Sequence, residues 1–315
     1  MAGCPVCLKG APRFACRALL YPGAERAVSE CPDCGSAFYH PMPPPEDIAR
    51  CYPPLYFRDF FRQYWKDYLK GRALALDLRA FREKGALLDV GCALGTLLAG
   101  VRAHSAWTAA GLEFSPDAAA LGRELNEVEI ACGPLAKAPW PDASFDCVHM
   151  NNVLEHESDP ESALRSAERL LKPGGRLLLT LPNGPVDLSA TRLLFRAWKR
   201  AVPTRHGGHL VFFSRRGLEA LLERTGFEVL SVRNFHFKLG MKARGWLPGS
   251  WKPFRKPWGA PAAPEPRLPL EEYRKLVPAQ PSWALYRLGQ KWRRLWRLGW
   301  TDFGYDFEVT ARKAR

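Results

Sequence analysis

The sequence predicts an α/β protein: a seven-stranded, mostly parallel sheet with helices on both faces, preceded by a small zinc ribbon. Three observations predict it. Strand-like and helix-like segments alternate from Gly85 onward, which implies parallel strands joined by crossover helices. The first strand, Ala86-Leu-Leu-Asp-Val90, is almost continuously apolar, as a strand covered on both faces has to be. Ahead of it, Cys4-Pro-Val-Cys7 and Cys31-Pro-Asp-Cys34 are separated by 23 residues, and two such pairs supply the four thiolates of a tetrahedral Zn²⁺ site.

Two residues between cysteines let one tight turn aim both sulfurs at a single ion, and Gly35 suits the positive φ that such a turn needs. With four protein ligands the zinc is structural, because no coordination position stays open for a substrate. Cys16, Cys51, Cys92, Cys132 and Cys147 are scattered and read as small buried hydrophobes. His40-Pro-Met-Pro-Pro-Pro45 is a stiff linker closing a first unit, 1–45. Residues 46–85 form a helical cap, with Phe61, Trp65, Tyr68, Leu69 and Leu76 at helical spacing.

The sheet unit takes 86–239 together with 302–315. Its strands are expected at 86–90, 108–113, 128–132, 145–150, 176–181, 227–232 and 307–312. Ser115-Pro-Asp117 is a helix start, with a capping hydroxyl, Pro at the first position and an acid in the first turn. Lys172-Pro-Gly-Gly175 ends one helix and Gly226 ends another. Residues 240–301 interrupt the sheet as a basic, Trp-rich insertion.

Composition bounds the function. With 47% hydrophobic and 25% charged residues in 315, this is an ordinary globular chain. No apolar run approaches the roughly 18 to 20 residues of a membrane span, and Met1 to Lys9 lacks a leader's apolar stretch. Integral-membrane and conventionally secreted classes are therefore set aside, and a cytoplasmic location is expected. The net charge of +14 is unevenly placed: between Gly240 and Thr301 stand thirteen Lys/Arg against three Glu, and seven of the eleven Trp. Within that insertion, 282–300 reads as a helix. Leu285, Leu288, Trp292, Leu295 and Trp296 share one face; Arg287, Lys291, Arg294 and Arg297 share the other. Peripheral membrane contact, RNA phosphates and a solvated face over a helix packed on the enzyme are three readings of that pattern.

The turn after the first strand, Gly91-Cys-Ala-Leu-Gly95, lets backbone approach a ligand closely. Glu113 lies 22 residues past Gly91, where a carboxylate can accept from two ribose hydroxyls. No dinucleotide G-x-G-x-x-G is present, and no P-loop G-K-[ST].

At this point the sequence resembles a family. Leu87-Leu-Asp-Val-Gly-Cys-Ala-Leu-Gly95 is similar to the first motif of the class I S-adenosylmethionine (SAM) dependent methyltransferases, whose fold is Rossmann-like. Ala138-Pro-Trp-Pro-Asp-Ala-Ser-Phe-Asp-Cys-Val148, Asn152-Val-Leu-Glu-His156, Leu170-Leu-Lys-Pro-Gly-Gly-Arg176 and His209-Leu-Val-Phe-Phe-Ser214 resemble motifs of its small-molecule branch, in order. The ribbon, the linker and Cys51-Tyr-Pro-Pro-Leu-Tyr-Phe57 resemble zinc-ribbon members, sugar methyltransferases among them. The resemblance implies SAM as cofactor. Asp89, Gly91, Cys92, Ala93 and Gly95 would surround its amino-acid end, Glu113 its ribose, Phe114 and Leu135 its adenine, and Asn151 would close the site. Ala93 stands where the family has a middle Gly, and Pro134 where it often has Asp.

A hydroxyl acceptor needs a base, and His156 and His209 are the candidates, with Glu155 a third. Helix capping or loop packing is the competing reading for His156, and packing or substrate orientation without proton transfer is that for His209. A Glu-x-x-Glu-His array that holds a divalent metal in some quinone-pathway relatives is broken here at Asn152, so no catalytic metal is expected. The acceptor implied is a small molecule, sugar, glycan or lipid-linked compound. The alternatives are an RNA methyltransferase, disfavoured by a nearly neutral ribbon and the missing Asn-Pro-Pro-aromatic motif, and a non-catalytic interaction scaffold.

Overall fold

The structure, a computed structural model, describes residues 3–52, 56–244, 267–295 and 304–314. The main sheet has seven strands: β4 (Ala86–Val90), β5 (Thr108–Glu113), β6 (Glu129–Cys132), β7 (Phe145–Asn151), β8 (Leu171–Pro182), β11 (Phe227–Phe235) and β12 (Asp306–Lys313). Their order is β11-β12-β8-β7-β4-β5-β6. Only β12 runs against its neighbours, wedged between β8 and β11. The chain winds outward in both directions from β4, so the C-terminal ends of β4 and β7 form the crevice where such sheets bind ligands. Leu87, Leu88, Val148 and Leu177 are fully buried at its centre.

Helix starts follow their caps. Ser115 accepts from the Ala118 amide at the head of Pro116–Asn126, Asp159 from Ser162 at the head of Pro160–Leu170, and Ser214 from Gly217 at the head of Arg215–Arg224. Two strand boundaries depart from expectation by more than a residue: β11 runs on to Phe235, paired with Asp306, instead of ending at 232. β8 starts at Leu171, not at 176, because a register break against Phe145 and Cys147 lets Pro173 and Gly174 (φ +73°) stay within the strand.

The helical cap is a short 3₁₀ helix, Tyr56–Gln63, followed by α2, Tyr64–Phe81. α2 crosses α3 (Thr96–Arg102) at two glycines. A Cβ on Gly71 would stand 2.0 Å from the Leu97 carbonyl oxygen, and one on Gly100 would stand 2.2 Å from that of Tyr68. Gly71→Ala is therefore expected to lower stability by about 1–3 kcal/mol through overpacking, despite alanine's better helix propensity. A thermal melt at or above wild type would contradict this.

The first residues build a second sheet. β1 (Arg13–Leu20), β2 (Ala24–Glu30) and β3 (Ala37–Tyr39) are flanked by two late strands, β9 (Val202–Pro203) on β1 and β10 (Val211–Phe212) on β3. The Cys4, Cys7, Cys31 and Cys34 sulfurs all lie within 4.8 Å of one another, with 3.7 Å between Cys4 and Cys34 and 3.5 Å between Cys7 and Cys31. Thiolates bound tetrahedrally at ~2.3 Å from one zinc stand about 3.8 Å apart, so the four fit that ion. Cys16, Cys92 and Cys147 are buried as expected, but Cys132 is exposed, since it ends the edge strand β6.

Two helices of the insertion are described, Leu270–Leu276 and Trp283–Leu295. The first seats fully buried Tyr273 on Phe61, stacked at 5.7 Å between ring centres. The second exposes Leu285 (70%) and Leu288 (55%), so the start of its apolar face is not packed on the protein. The rest of that predicted face, Trp292, Leu295 and Trp296, and the Trp-rich stretch 246–258 lie outside the described residues or side chains. Among the described residues, no helix is long and apolar enough to cross a membrane.

Candidate active site

The turn leaving β4 has three residues in the left-handed region: Gly91 (φ +69°), Ala93 (φ +50°) and Gly95 (φ +67°). Ala93 pays for its Cβ there by roughly 1 kcal/mol. Its amide donates to Glu113 Oε2 at 2.9 Å, which holds the turn against the end of β5. The amides of Gly91 and Cys92 donate to the Leu112 carbonyl and that of Gly95 to the Cys92 carbonyl, so the turn offers a ligand close approach more than free N–H groups. Asp89, one residue before the end of β4, is buried and accepts from His149 Nδ1 of β7 at 2.7 Å. Sequence spacing did not signal His149; parallel pairing sets it opposite Asp89.

Glu113 is 4% exposed and accepts three hydrogen bonds, from the Ala93 and Ser115 amides and from the Tyr56 hydroxyl, each at 2.9 Å. Burial, then the Glu113 charge, pushes the Tyr56 phenol far above its ordinary range, so Tyr56 remains a donor. Beside them Phe114 is 66% exposed, Gly133 has open space where a side chain would be, and Leu135 is buried at the start of a short 3₁₀ turn. Asn151, the last residue of β7, is half-buried at the crevice. A carboxylate, an exposed aromatic face and a glycine gap within one sector suit the ribose and adenine of a nucleoside, which is the fit SAM requires.

A second sector adjoins this one through stacked aromatics. Tyr56 meets Tyr52 edge-on at 5.7 Å, and Tyr52 meets His156 at 6.0 Å. His156 and Glu155 end the turn Leu154–His156 that follows β7, and the Leu210 amide donates to the Glu155 carbonyl at 2.8 Å. His156 donates its Nδ1–H to the Gly208 carbonyl at 2.9 Å. His209 lies against it, ring centres 4.9 Å apart. Nδ1 of His209 is 2.8 Å from the buried carboxylate of Asp187, which also accepts from the Tyr305 hydroxyl at 2.5 Å. His206 stacks on the other side of His209 at 5.0 Å.

The electrostatics of this cluster are strongly perturbed. Burial lifts Glu155 to about 7 against the pull of His209. Burial and the neighbouring His209 charge depress His156 to about 3 and His206 to about 4. For His209 burial alone would act downward, but the Asp187 charge and hydrogen bond, joined by Glu155, hold it above its ordinary value. The two histidines expected from sequence are thus brought together and made unequal: Asp187 helps His209 to hold a proton, while His156 is a neutral ring at ordinary pH. Asp187, His206 and Tyr305 were missed, since no motif marks them.

Three comparisons place the chain among known proteins. Residues 60–232, more than half of the chain, match the family described as methyltransferase domain. An uncharacterized 37.1 kDa protein of a Streptomyces fradiae transposon is 33% identical over 120 residues, covering 36% of this chain and 34% of that protein. A ubiquinone/menaquinone biosynthesis C-methyltransferase of Enterobacter sp. (strain 638) is 40% identical over 62 residues, 20% of this chain and 25% of that enzyme. The chain thus spans about a third or less of the length of these curated relatives. Among solved structures, a SAM-dependent methyltransferase from Mesorhizobium loti matches with a TM-score of 0.46 and 18% identity, covering 78% of this chain and 99% of that one. The YcgJ protein of Bacillus subtilis gives 0.44 and 16%, with 78% and 99% covered.

Proposed function

The chain belongs to the family of methyltransferase domains that its residues 60–232 match, and from that premise we propose that it methylates a hydroxyl of a small-molecule, sugar, glycan or lipid-linked acceptor with SAM as donor. Glu113 would hold the ribose, Phe114 and Leu135 the adenine, and Asp89, the turn Gly91-Cys92-Ala93-Leu94-Gly95 and Asn151 the remainder. Bound there, SAM supplies a methyl group made electrophilic by its sulfonium. What the chain adds is orientation, exclusion of water and a place for the acceptor's proton.

One observation carries this reading: a buried Asp187–His209 pair faces Glu155 at one end of an aromatic wall whose other end is hydrogen-bonded to Glu113. Asp187 fixes the ring so that Nε2 of His209 carries the lone pair, and that lone pair takes the hydroxyl proton. His156, its Nδ1–H spent on Gly208, lines the same space as a neutral imidazole. The exposed Leu285 and Leu288 support contact with a lipid-linked acceptor at a membrane surface.

His209→Ala is expected to slow methyl transfer by about 10²–10⁴-fold, with SAM affinity unchanged. Asp187→Asn, which keeps the shape but not the charge, is expected to lower kcat by more than it raises KM. Labelled SAM offered with glycan and lipid-linked acceptors reads both. Label found on carbon or nitrogen of the product, or a wild-type rate in His209→Ala, overturns the reading.

A further inference from the structure

We infer that Glu155, His156 and His209 form a binding site for one divalent transition-metal ion, separate from the four-thiolate site of the ribbon. One ligand atom from each of the three lies within 4.8 Å of the others, and His209 Nε2 stands 3.9 Å from Glu155 Oε1. Glu155 is 1% exposed, and neither of its carboxylate oxygens has a hydrogen-bond partner. A buried carboxylate without donors is costly, and structures hold one only where something compensates it.

Among the described residues no neighbour reaches that carboxylate with a hydrogen bond, and the nearest side-chain nitrogen with a charge to offer, His209 Nε2, stands 3.9 Å away. The Nδ1–H of His156 goes to the Gly208 carbonyl, and Nδ1 of His209 is committed to Asp187. His156 is held neutral by burial and the His209 charge, so its Nε2 keeps an unshared lone pair; His209, whose proton Asp187 and Glu155 help to hold, exposes the same lone pair once an incoming cation displaces that proton. Such outward anchoring of Nδ1 on a carbonyl or carboxylate is how metal-ligating histidines are oriented. The backbone is fixed as well, because the Leu210 amide donates to the Glu155 carbonyl and ties the two ligand-bearing segments together. A buried carboxylate that accepts no hydrogen bond, beside two ring nitrogens anchored from behind, is a donor set that a divalent cation completes better than the single proton on His209 does.

The donor set names the class. Two imidazoles and one carboxylate favour Zn²⁺, Fe²⁺ or Co²⁺ over Mg²⁺ and Ca²⁺, which want oxygen. Bond lengths of ~2.0–2.2 Å require the 3.9 Å separation to close by about half an ångström. Three protein ligands leave a position open, unlike the ribbon. The sequence expectation of no catalytic metal looked for a third ligand at Asn152; the fold supplies it from His209 instead.

The inference rests on the methyl-transfer reading for the ion's role, not for its binding. An acceptor hydroxyl in the open position would be acidified by coordination: its O–H bond breaks, the electron pair stays on oxygen, and the proton passes to bulk water. With the ion bound, the His209 lone pair would act on the hydroxyl through the ion it holds; without the ion it would take the proton directly, and His209→Ala slows transfer in either case.

Metal-free full-length protein titrated with Co²⁺ tests the site. Wild type is expected to bind two equivalents, one with the intense thiolate-to-cobalt charge-transfer band of the ribbon and one without it. Glu155→Gln and His209→Ala are expected to keep the thiolate band, which also shows that they are folded, and to bind one equivalent. Asp187→Asn should weaken the second site by about 10–100-fold. Saturation of wild type at one equivalent, or two equivalents in either ligand variant, overturns the inference. Failure to methylate any hydroxyl would sink the proposed function and leave this count untouched.

Discussion

Glu113→Ala is expected to weaken SAM binding by roughly 30- to 1,000-fold, the equivalent of losing about 2–4 kcal/mol from hydrogen bonds to a charged acceptor. The carboxylate is 4% exposed and oriented by three donors before any ligand arrives. A ribose meeting it therefore loses little to reorganisation. Removing it also leaves the Ala93 amide and the Tyr56 hydroxyl without their acceptor, and it releases the turn at Ala93 from β5. Stability is expected to fall by about 1–3 kcal/mol. Glu113→Gln keeps the volume and part of the acceptor capacity, so its affinity is expected between those of alanine and wild type. Calorimetric titration of SAM into folded protein, with His209→Ala as the control that still binds, reads the difference. Wild-type affinity in a folded Glu113→Ala protein would remove Glu113 from the cofactor site.

Breaking the ribbon's metal site is expected to have the second large effect, and on the other substrate. The 204–210 loop that carries His206, Gly208 and His209 is anchored at both ends in the ribbon sheet, through Val202 and Pro203 on β1 and through Val211 and Phe212 on β3. The Tyr21 amide donates to the Gly207 carbonyl and that of Tyr39 to Leu210. Ser214 donates to the Cys34 carbonyl, only two residues past β10 at Phe212. Fewer than about 45 residues of ribbon cannot hold a sheet without its ion. Cys31→Ser should therefore loosen this loop and cut methyl transfer by more than about 100-fold, since small misplacements at a reacting centre are amplified in rate. SAM affinity should change by no more than about threefold, because β4, β5 and the turn between them make no strand pair with the ribbon. Full turnover in a Cys31→Ser protein that has lost its thiolate-bound metal would show that the loop stands without the ribbon.

Much of this was legible beforehand for a definite reason. The four cysteines announce themselves by spacing, because ligands to one ion within a tight turn must be close in sequence. Glu113 and the Gly91–Gly95 turn are legible because a strand and the turn that follows it are contiguous. Ser115 was readable as a cap on the same local grounds. By contrast, Tyr56 reaches Glu113 across 57 positions and His149 reaches Asp89 across 60, and neither carries a pattern. Gly71 and Gly100 look like weak points in helices until the two helices are seen to touch there.

The sequence by itself determined the sheet, the thiolate quartet, the glycine-bearing turn after β4 and the two candidate histidines, because periodicity, spacing and capping act over a few residues. Only the tertiary structure decided what the histidines are. It set Asp187 behind His209, left the carboxylate of Glu155 without a hydrogen-bond donor, and brought Tyr305 onto Asp187 from 118 positions away. That arrangement exists because β12 enters antiparallel between β8 and β11, so its first residue, Asp306, pairs with Pro182 at the C-terminal end of β8 and Tyr305 just before it stands at the crevice. Charge and burial then do the rest: an imidazole beside a buried carboxylate holds its proton more tightly, while one buried beside a second, charged ring stays neutral, and side-chain type alone carries neither outcome.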